Sequence, residues 1–201
     1  EVTISKEAAA WPQNSIDHFV LQKLLKSELR PSQPTSPALL LRRLHLDLAG
    51  IPPTPDQIRK FEMYVATDAQ SATAAAIDEL LESPQYGERW GRHWLDVARY
   101  SDGFGGFLDN SAQPDAWRYR DWVINAFNND MPYDEFVRQQ IAGDLISDSH
   151  DSAIATGFFA LGPTYRSDGG DPEAVAQAKS ETLDDRLDTL SRGFMAITVA
   201  C

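Results

Sequence analysis

Cysteine is almost missing from this sequence: 201 residues hold one, Cys201, at the last position. A lone thiol closes no disulfide within the chain and cannot furnish a structural zinc site. Long apolar runs are also missing. The longest reach only a few residues, whereas a membrane-spanning helix needs about 20. Positive charge is scarce, with 18 Lys and Arg against 30 Asp and Glu, a net charge of −12. That balance repels polyanions, so nucleic acid is not an expected partner. Repeats and low-complexity linkers are lacking. No G-x-S-x-G, H-E-x-x-H, P-loop or Cys-His pair occurs, so no catalytic motif identifies a reaction. Gly103, Gly105 and Gly106 follow no predicted strand and make no dinucleotide fingerprint.

Material for a core is present. Hydrophobic residues make up 42% of the chain, with five Trp, six Tyr and nine Phe. The length suits one domain. The first residue is Glu1 and no signal-peptide pattern is visible, as expected of a piece whose leader has been removed.

Helix signals recur along the chain. Ser15 is placed to cap a helix carrying Ile16, Phe19, Val20, Leu24 and Leu25. Ser36 and Pro37 read as N-cap and first residue of the next, with Leu40, Leu41, Leu44 and Leu48 inward and Gly50 as the C-terminal stop. Thr54, Pro55 and Gln57 form a capping box ahead of Ile58, Phe61 and Val65. A helix in the seventies carries Ile77, Leu80 and Leu81. Ser83 and Pro84 start another, reaching about Tyr100, with Tyr86, Trp90, Trp94 and Val97 as its stripe. After a Gly/Asp/Asn loop from Ser101 to Pro114 come a helix with Trp122, Val123, Ala126 and Phe127, one with Phe136, Gln140 and Leu145, and a short one ending near Leu161. Asp171 and Pro172 open a long last helix, where Leu183, Leu187, Leu190, Phe194 and Ile197 predict an inward seam. No period-two strand is found. The expected fold class is all-α: an irregular multi-helix domain with long Gly/Asp-rich loops, spanning 15–201 after an N-terminal extension of 1–14.

The densest chemistry runs from Arg89 to Tyr100. Arg89, His93, Asp96 and Tyr100 share one helical face, and Arg92, Asp96 and Arg99 an overlapping one. With Asp102, Trp117, Arg118 and Arg120 these residues form a candidate ligand cleft, with bidentate arginines for a carboxylate and Trp117 as a stacking platform. The competing reading is an ion-pair network locking two helices together, in which Asp96 pairs with Arg92, Arg99, Arg118 or Arg120. Asp102, Asp109, Asn110 and Asp115 carry oxygen ligands, but their spacing matches no calcium loop and no metal is assigned. Glu181, Asp184, Asp185 and Asp188 read as a solvated acidic face. His18 and His45 read as packing or surface residues and His150 as loop.

Several long stretches, in order, resemble one family. They are 16–20 (Ile-Asp-His-Phe-Val), 42–55 (Arg-Arg-Leu-His-Leu-Asp-Leu-Ala-Gly-Ile-Pro-Pro-Thr-Pro), and 83–96, with Trp90-Gly91-Arg92-His93-Trp94 at its centre. Ala116-Trp117-Arg118-Tyr119-Arg120-Asp121, Pro132-Tyr133-Asp134-Glu135-Phe136, Ala142-Gly143-Asp144 and Asp184-Asp185-Arg186 continue the series to Cys201. From about Ser15 to Cys201 the chain resembles the planctomycete cytochrome-C-associated domain of the second PSCyt type, a domain of unknown function. In this chain Asp102-Gly103-Phe104-Gly105 departs from the family's usual Asp-Ser-x-Gly.

The resemblance implies an exported protein, at the periplasm or cell surface, with adjacent domains in the same parent chain as partners. It also implies a C-x-x-C-H continuation in which Cys201 is the first haem-binding thiol. Haem c is then the expected cofactor of the parent, and none is expected in this stretch alone. Two functions follow: an accessory or redox-associated domain beside that haem, or a polysaccharide- or small-ligand-binding or hydrolytic domain using the Arg89, His93, Asp96, Tyr100 and Asp102 cleft.

Overall fold

The computed structural model describes residues 11–103, 113–167 and 169–199. Among them are nine α-helices and no strand. The helices are α1 (Ser15–Lys26), α2 (Pro37–Leu48), α3 (Pro55–Val65), α4 (Ala69–Leu81), α5 (Pro84–Val97), α6 (Ala116–Asn128), α7 (Tyr133–Ile146), α8 (His150–Ala155) and α9 (Pro172–Met195), with a 3₁₀ turn at Thr156–Ala160. The fold is all-α, as the sequence predicts.

Local chemistry sets most boundaries. Ser36 Oγ accepts from the Leu39 amide ahead of Pro37. Thr54 and Gln57 cap each other reciprocally, with the Gln57 carboxamide taking the Thr54 amide at 2.8 Å. Gly50 has a φ of 74°, the left-handed geometry of a helix-stopping glycine. Asp171 caps α9, with Pro172 in its first turn. The first helix corrects the expectation: its cap is Asn14, whose Oδ1 accepts from Ile16 and Asp17, and Ser15 is the first helical residue.

Two cores result. Helices α2, α3 and α4 close over Leu41, Phe61 and Ala72. The larger core joins α5 to α9 around Tyr119, Trp122, Val123, Phe136, Phe158 and Leu161. Phe136 is its hub, with ring centroids 5.0 Å from Trp94, 5.3 Å from Trp122 and 5.9 Å from Phe127. Aromatic pairs of this kind add about 1 kcal/mol each beyond their buried area. Helix α5 bridges the two, touching α2 and α4 on one side and α6 and α9 on the other.

The face that α5 presents to α6 is glycine. Gly87 and Gly91, one turn apart, are its buried residues. A Cβ at Gly87 would collide with the Ile124 carbonyl and the Asn128 carboxamide. The Gly87 amide donates to Asn128 Oδ1 at 2.8 Å, so the two backbones approach closely enough for a side chain to bond the other helix's main chain. The predicted stripe is displaced accordingly: Trp94 packs inward, whereas Trp90 and Val97 are exposed.

The last helix keeps only part of its predicted inward face. Its buried residues are Ala178, Thr182, Thr189 and Ser191. Leu183 and Leu187 are 57% and 48% exposed, and Ile197 is exposed as well. Only Leu190 and Phe194 of the expected seam reach the core. The inward hydroxyls are satisfied by carbonyls one turn back: Thr182 donates to Ala178, Thr189 to Asp185 and Ser191 to Leu187. That internal bonding lets small polar residues pack without desolvation cost.

Candidate functional site

Helix α5 ends at Val97, three residues before the predicted limit, and Arg99 takes a left-handed φ of 57°. This reversal takes Arg99 and Tyr100 off the helical face that Arg89, His93 and Asp96 share. Arg89 lies across Gly50 at the end of α2. His93 is exposed, its ring 5.4 Å from that of Trp90. Asp96 is exposed, and among the described residues no ion pair joins it to Arg92. The other three arginines named as its partners bind elsewhere: Arg99 to Asp185, Arg118 to Asp115 and Arg120 to Asp121. The expected pairing of Asp96 is therefore not formed. Nor are the acidic residues of α9 uniformly solvated, because Asp185 is the inward partner of Arg99 and Asp188 pairs with Arg192.

Beyond α5, Tyr100 and Asp102 do come together. The Tyr100 hydroxyl donates to Asp102 Oδ1 at 2.6 Å. Burial, reinforced by the Asp102 carboxylate, pushes the phenol up to about 12. The Asp102 carbonyl accepts from the Gln113 amide at 2.8 Å, tying the two ends of the intervening loop. Residues Phe104, Gly105, Gly106, Asp109 and Asn110 of that loop lie outside the described residues, as does Cys201. Arg120 holds Asp121 Oδ1 through Nε at 3.0 Å and Nη2 at 2.9 Å, and this raises the Arg120 pKa.

Under this surface sits a closed polar junction absent from the sequence reading. Trp94 Nε1 donates to the Tyr119 hydroxyl at 3.0 Å and to Gln140 Oε1 at 2.9 Å. The Tyr119 hydroxyl donates to the same oxygen at 2.6 Å, and Gln140 Nε2 to the Phe136 carbonyl at 3.0 Å. Burial raises the Tyr119 pKa well above its ordinary value. Each polar side-chain atom in this apolar setting has a partner, which marks the junction as structural.

Two cavities flank α6. One, of about 450 Å³, is lined by Asp115, Arg118, Tyr119, Ile154, Gly157 and Leu161 among others. The second, of about 510 Å³, runs along Trp117, Asp121, Asn125 and Asn129 toward Gln139 and Asp151. Of the sequence candidates, Trp117 and Arg118 line this groove. Asp121, Asn125 and Asn129 were not among the candidates; the signal for them is their spacing of four from Trp117. Arg118 stands between the cavities, its guanidinium 5.4 Å over the Trp117 ring and bonded to Asp115 at 3.1 Å. Among the described residues no group of three metal-ligating side chains converges, and no helix is long and apolar enough to cross a membrane.

The family profile PSCyt2, described as a protein of unknown function (DUF1549), matches residues 15–201. The chain belongs to the PSCyt2 family. That family is the planctomycete cytochrome-C-associated one, a domain of unknown function. Comparisons with curated proteins and with solved structures gave no match. The family's cytochrome-C association directs attention to the residue types that c-type haem attachment uses. Covalent attachment uses two thiols and an adjacent axial histidine. This chain has one cysteine and four histidines. His45 is buried within the α2–α4 unit, His93 lies against Trp90, and His150 is 3.4 Å from Arg118.

Proposed function

We propose that the chain is an accessory, redox-associated domain of an exported multidomain protein, docked against a neighbouring part of the same parent that carries a c-type haem. The observation that carries this reading is the outer side of α9. Leu183 and Leu187, then Met195, Ile197 and Val199, leave large apolar side chains in water along the segment that leads to Cys201. Exposed apolar stretches of this kind mark interaction surfaces. The family's cytochrome association supplies the kind of neighbour. In this reading Cys201 contributes one thioether bond, and the second thiol and the axial histidine come from the parent. Ligand binding by Arg89, His93, Asp96, Tyr100 and Asp102 has less support, because Tyr100 and Asp102 bond each other beyond the end of α5.

The test uses the parent protein, matured in a periplasm with haem-attachment machinery. A Soret band that survives acid–acetone extraction is expected, and a Cys201→Ser parent should lose one thioether by mass spectrometry. Replacing Leu183 and Leu187 together by Asp should leave the helical spectrum intact but expose the junction after α9 to protease. A parent without covalent haem, or a double variant as protected as the wild type, overturns the proposal.

A further inference from the structure

The groove along α6 carries an inference separate from the docking face. Trp117, Asp121, Asn125 and Asn129 follow one another at steps of four, which places them on one stripe of the helix. At 1.5 Å per residue the stripe is roughly 18 Å long. All four line the same cavity, whose opposite wall brings Gln139 and Asp151. Its volume of about 510 Å³ lies within the usual range for small-ligand sites.

The composition of the groove selects the ligand chemistry. Trp117 is 46% exposed, although the rest of the aromatic surface of α6 is buried against Phe136 and Tyr119. The Arg118 guanidinium stands 5.4 Å over the Trp117 ring, and a half-exposed indole beside planar amides and carboxylates suits a ligand with one apolar face and a rim of hydroxyls. Carboxylates accept from neighbouring hydroxyls, and carboxamides both donate and accept. The acceptors are not all spent. Both Arg120 contacts go to Asp121 Oδ1, which leaves Oδ2 for a ligand hydroxyl. Gln139 donates its amide to Glu135 at 2.9 Å, which leaves its carbonyl.

Charge decides between neutral and acidic ligands. Asp121 and Asp151 both border the groove, and the one guanidinium in its lining, Arg118, is engaged by Asp115 and His150. A carboxylated or sulfated ligand would meet two negative side chains in a chain of net charge −12. We infer that this groove is a binding site for a neutral oligosaccharide, with Trp117 stacking on one sugar ring and Asp121, Asn125 and Asn129 bonding the hydroxyls of the units that follow.

Titration of the 201-residue chain with neutral tri- to pentasaccharides of glucose, xylose, mannose and N-acetylglucosamine tests this. Calorimetry and tryptophan emission are the readouts. At least one series should bind, with tighter binding as units are added. Trp117→Ala should weaken it at least tenfold, Trp117→Phe much less, and Asn125→Ala about fivefold. Trp90→Ala, which removes another exposed indole away from the groove, should leave affinity unchanged. All variants are first checked for wild-type helical content. The inference is overturned if no neutral oligosaccharide binds at millimolar concentration, if binding survives both Trp117→Ala and Asn125→Ala, or if uronic or sulfated oligosaccharides bind more tightly than neutral ones.

Discussion

Arg99 and Asp185, 86 positions apart in sequence, form a two-point clasp between the end of α5 and the middle of α9. Nη1 of Arg99 pairs with the Asp185 carboxylate, and Nη2 donates to the Asp185 carbonyl at 2.8 Å. The left-handed backbone of Arg99 aims the side chain there, and Gly162 leaves room beside it, since a Cβ at that glycine would stand 3.3 Å from Nη2. The clasp holds α9 together with the packing of Leu190 and Phe194 on the core.

The clasp should be measurable. Both side chains are mostly but not wholly buried, so Asp185→Ala is expected to cost about 2 kcal/mol, between the values for exposed and fully buried pairs. Asp184→Ala, at an exposed neighbour, should stay within about 0.5 kcal/mol. Urea denaturation of the two variants gives the comparison; equal costs would show that the clasp contributes nothing.

Gly87→Ala should be among the most damaging single-methyl additions in the chain. The new Cβ meets backbone and a bonded carboxamide, neither of which can move aside. A loss of about 3 kcal/mol is expected, at the upper end for overpacking. Gly91→Ala places its Cβ 3.4 Å from a Val123 methyl, an ordinary contact, and should cost less than about 1 kcal/mol. Thermal melts of the pair, read by circular dichroism, distinguish them.

Alkaline pH should destabilise the fold in a predictable window. Tyrosines in the unfolded chain ionise near 10, whereas Tyr100 ionises at about 12 and Tyr119 is held up further by burial. Above pH 10 the unfolded state therefore binds fewer protons than the folded one, and stability falls as pH rises. Urea midpoints should decline from about pH 9.5 upward. Tyr119→Phe should flatten that decline while lowering stability at neutral pH by about 1 kcal/mol for the lost hydroxyl bonds.

A second pH effect belongs to the acid side. Burial holds the His45 imidazole below its ordinary value of 6.5, against the opposing influence of Glu79 and the Ile51 carbonyl. The unfolded chain takes up this proton first, so stability should fall as pH drops below 6.5. His45→Leu should shrink the change in urea midpoint between about pH 7.5 and pH 5. An unchanged difference would assign acid sensitivity to other groups.

What could be read from residue order alone was whatever closes within one turn. The Thr54–Gln57 box, the Ser36 and Asp171 caps, the helix-initiating prolines and the Gly50 stop each depend on partners three or four positions away. They therefore form wherever the chain goes next. The all-α class followed from their number, and the family from long stretches in a matching order. The inward face of each helix was a different matter. Helix α9 carries a leucine stripe and, on another side, Ala178, Thr182 and Thr189, and periodicity favours the leucines. The neighbouring surface chose the small hydroxylated side, because Arg99 needed Asp185 and the hydroxyls could bond their own helix. In α5 the decisive residues were glycines, which have no hydrophobic signal and act only through how near α6 can come. The candidate site divided for the same reason: one left-handed residue, Arg99, ended the helix early and carried its side chain away from Asp96. Proximity across tens of residues, set by packing, decided those points.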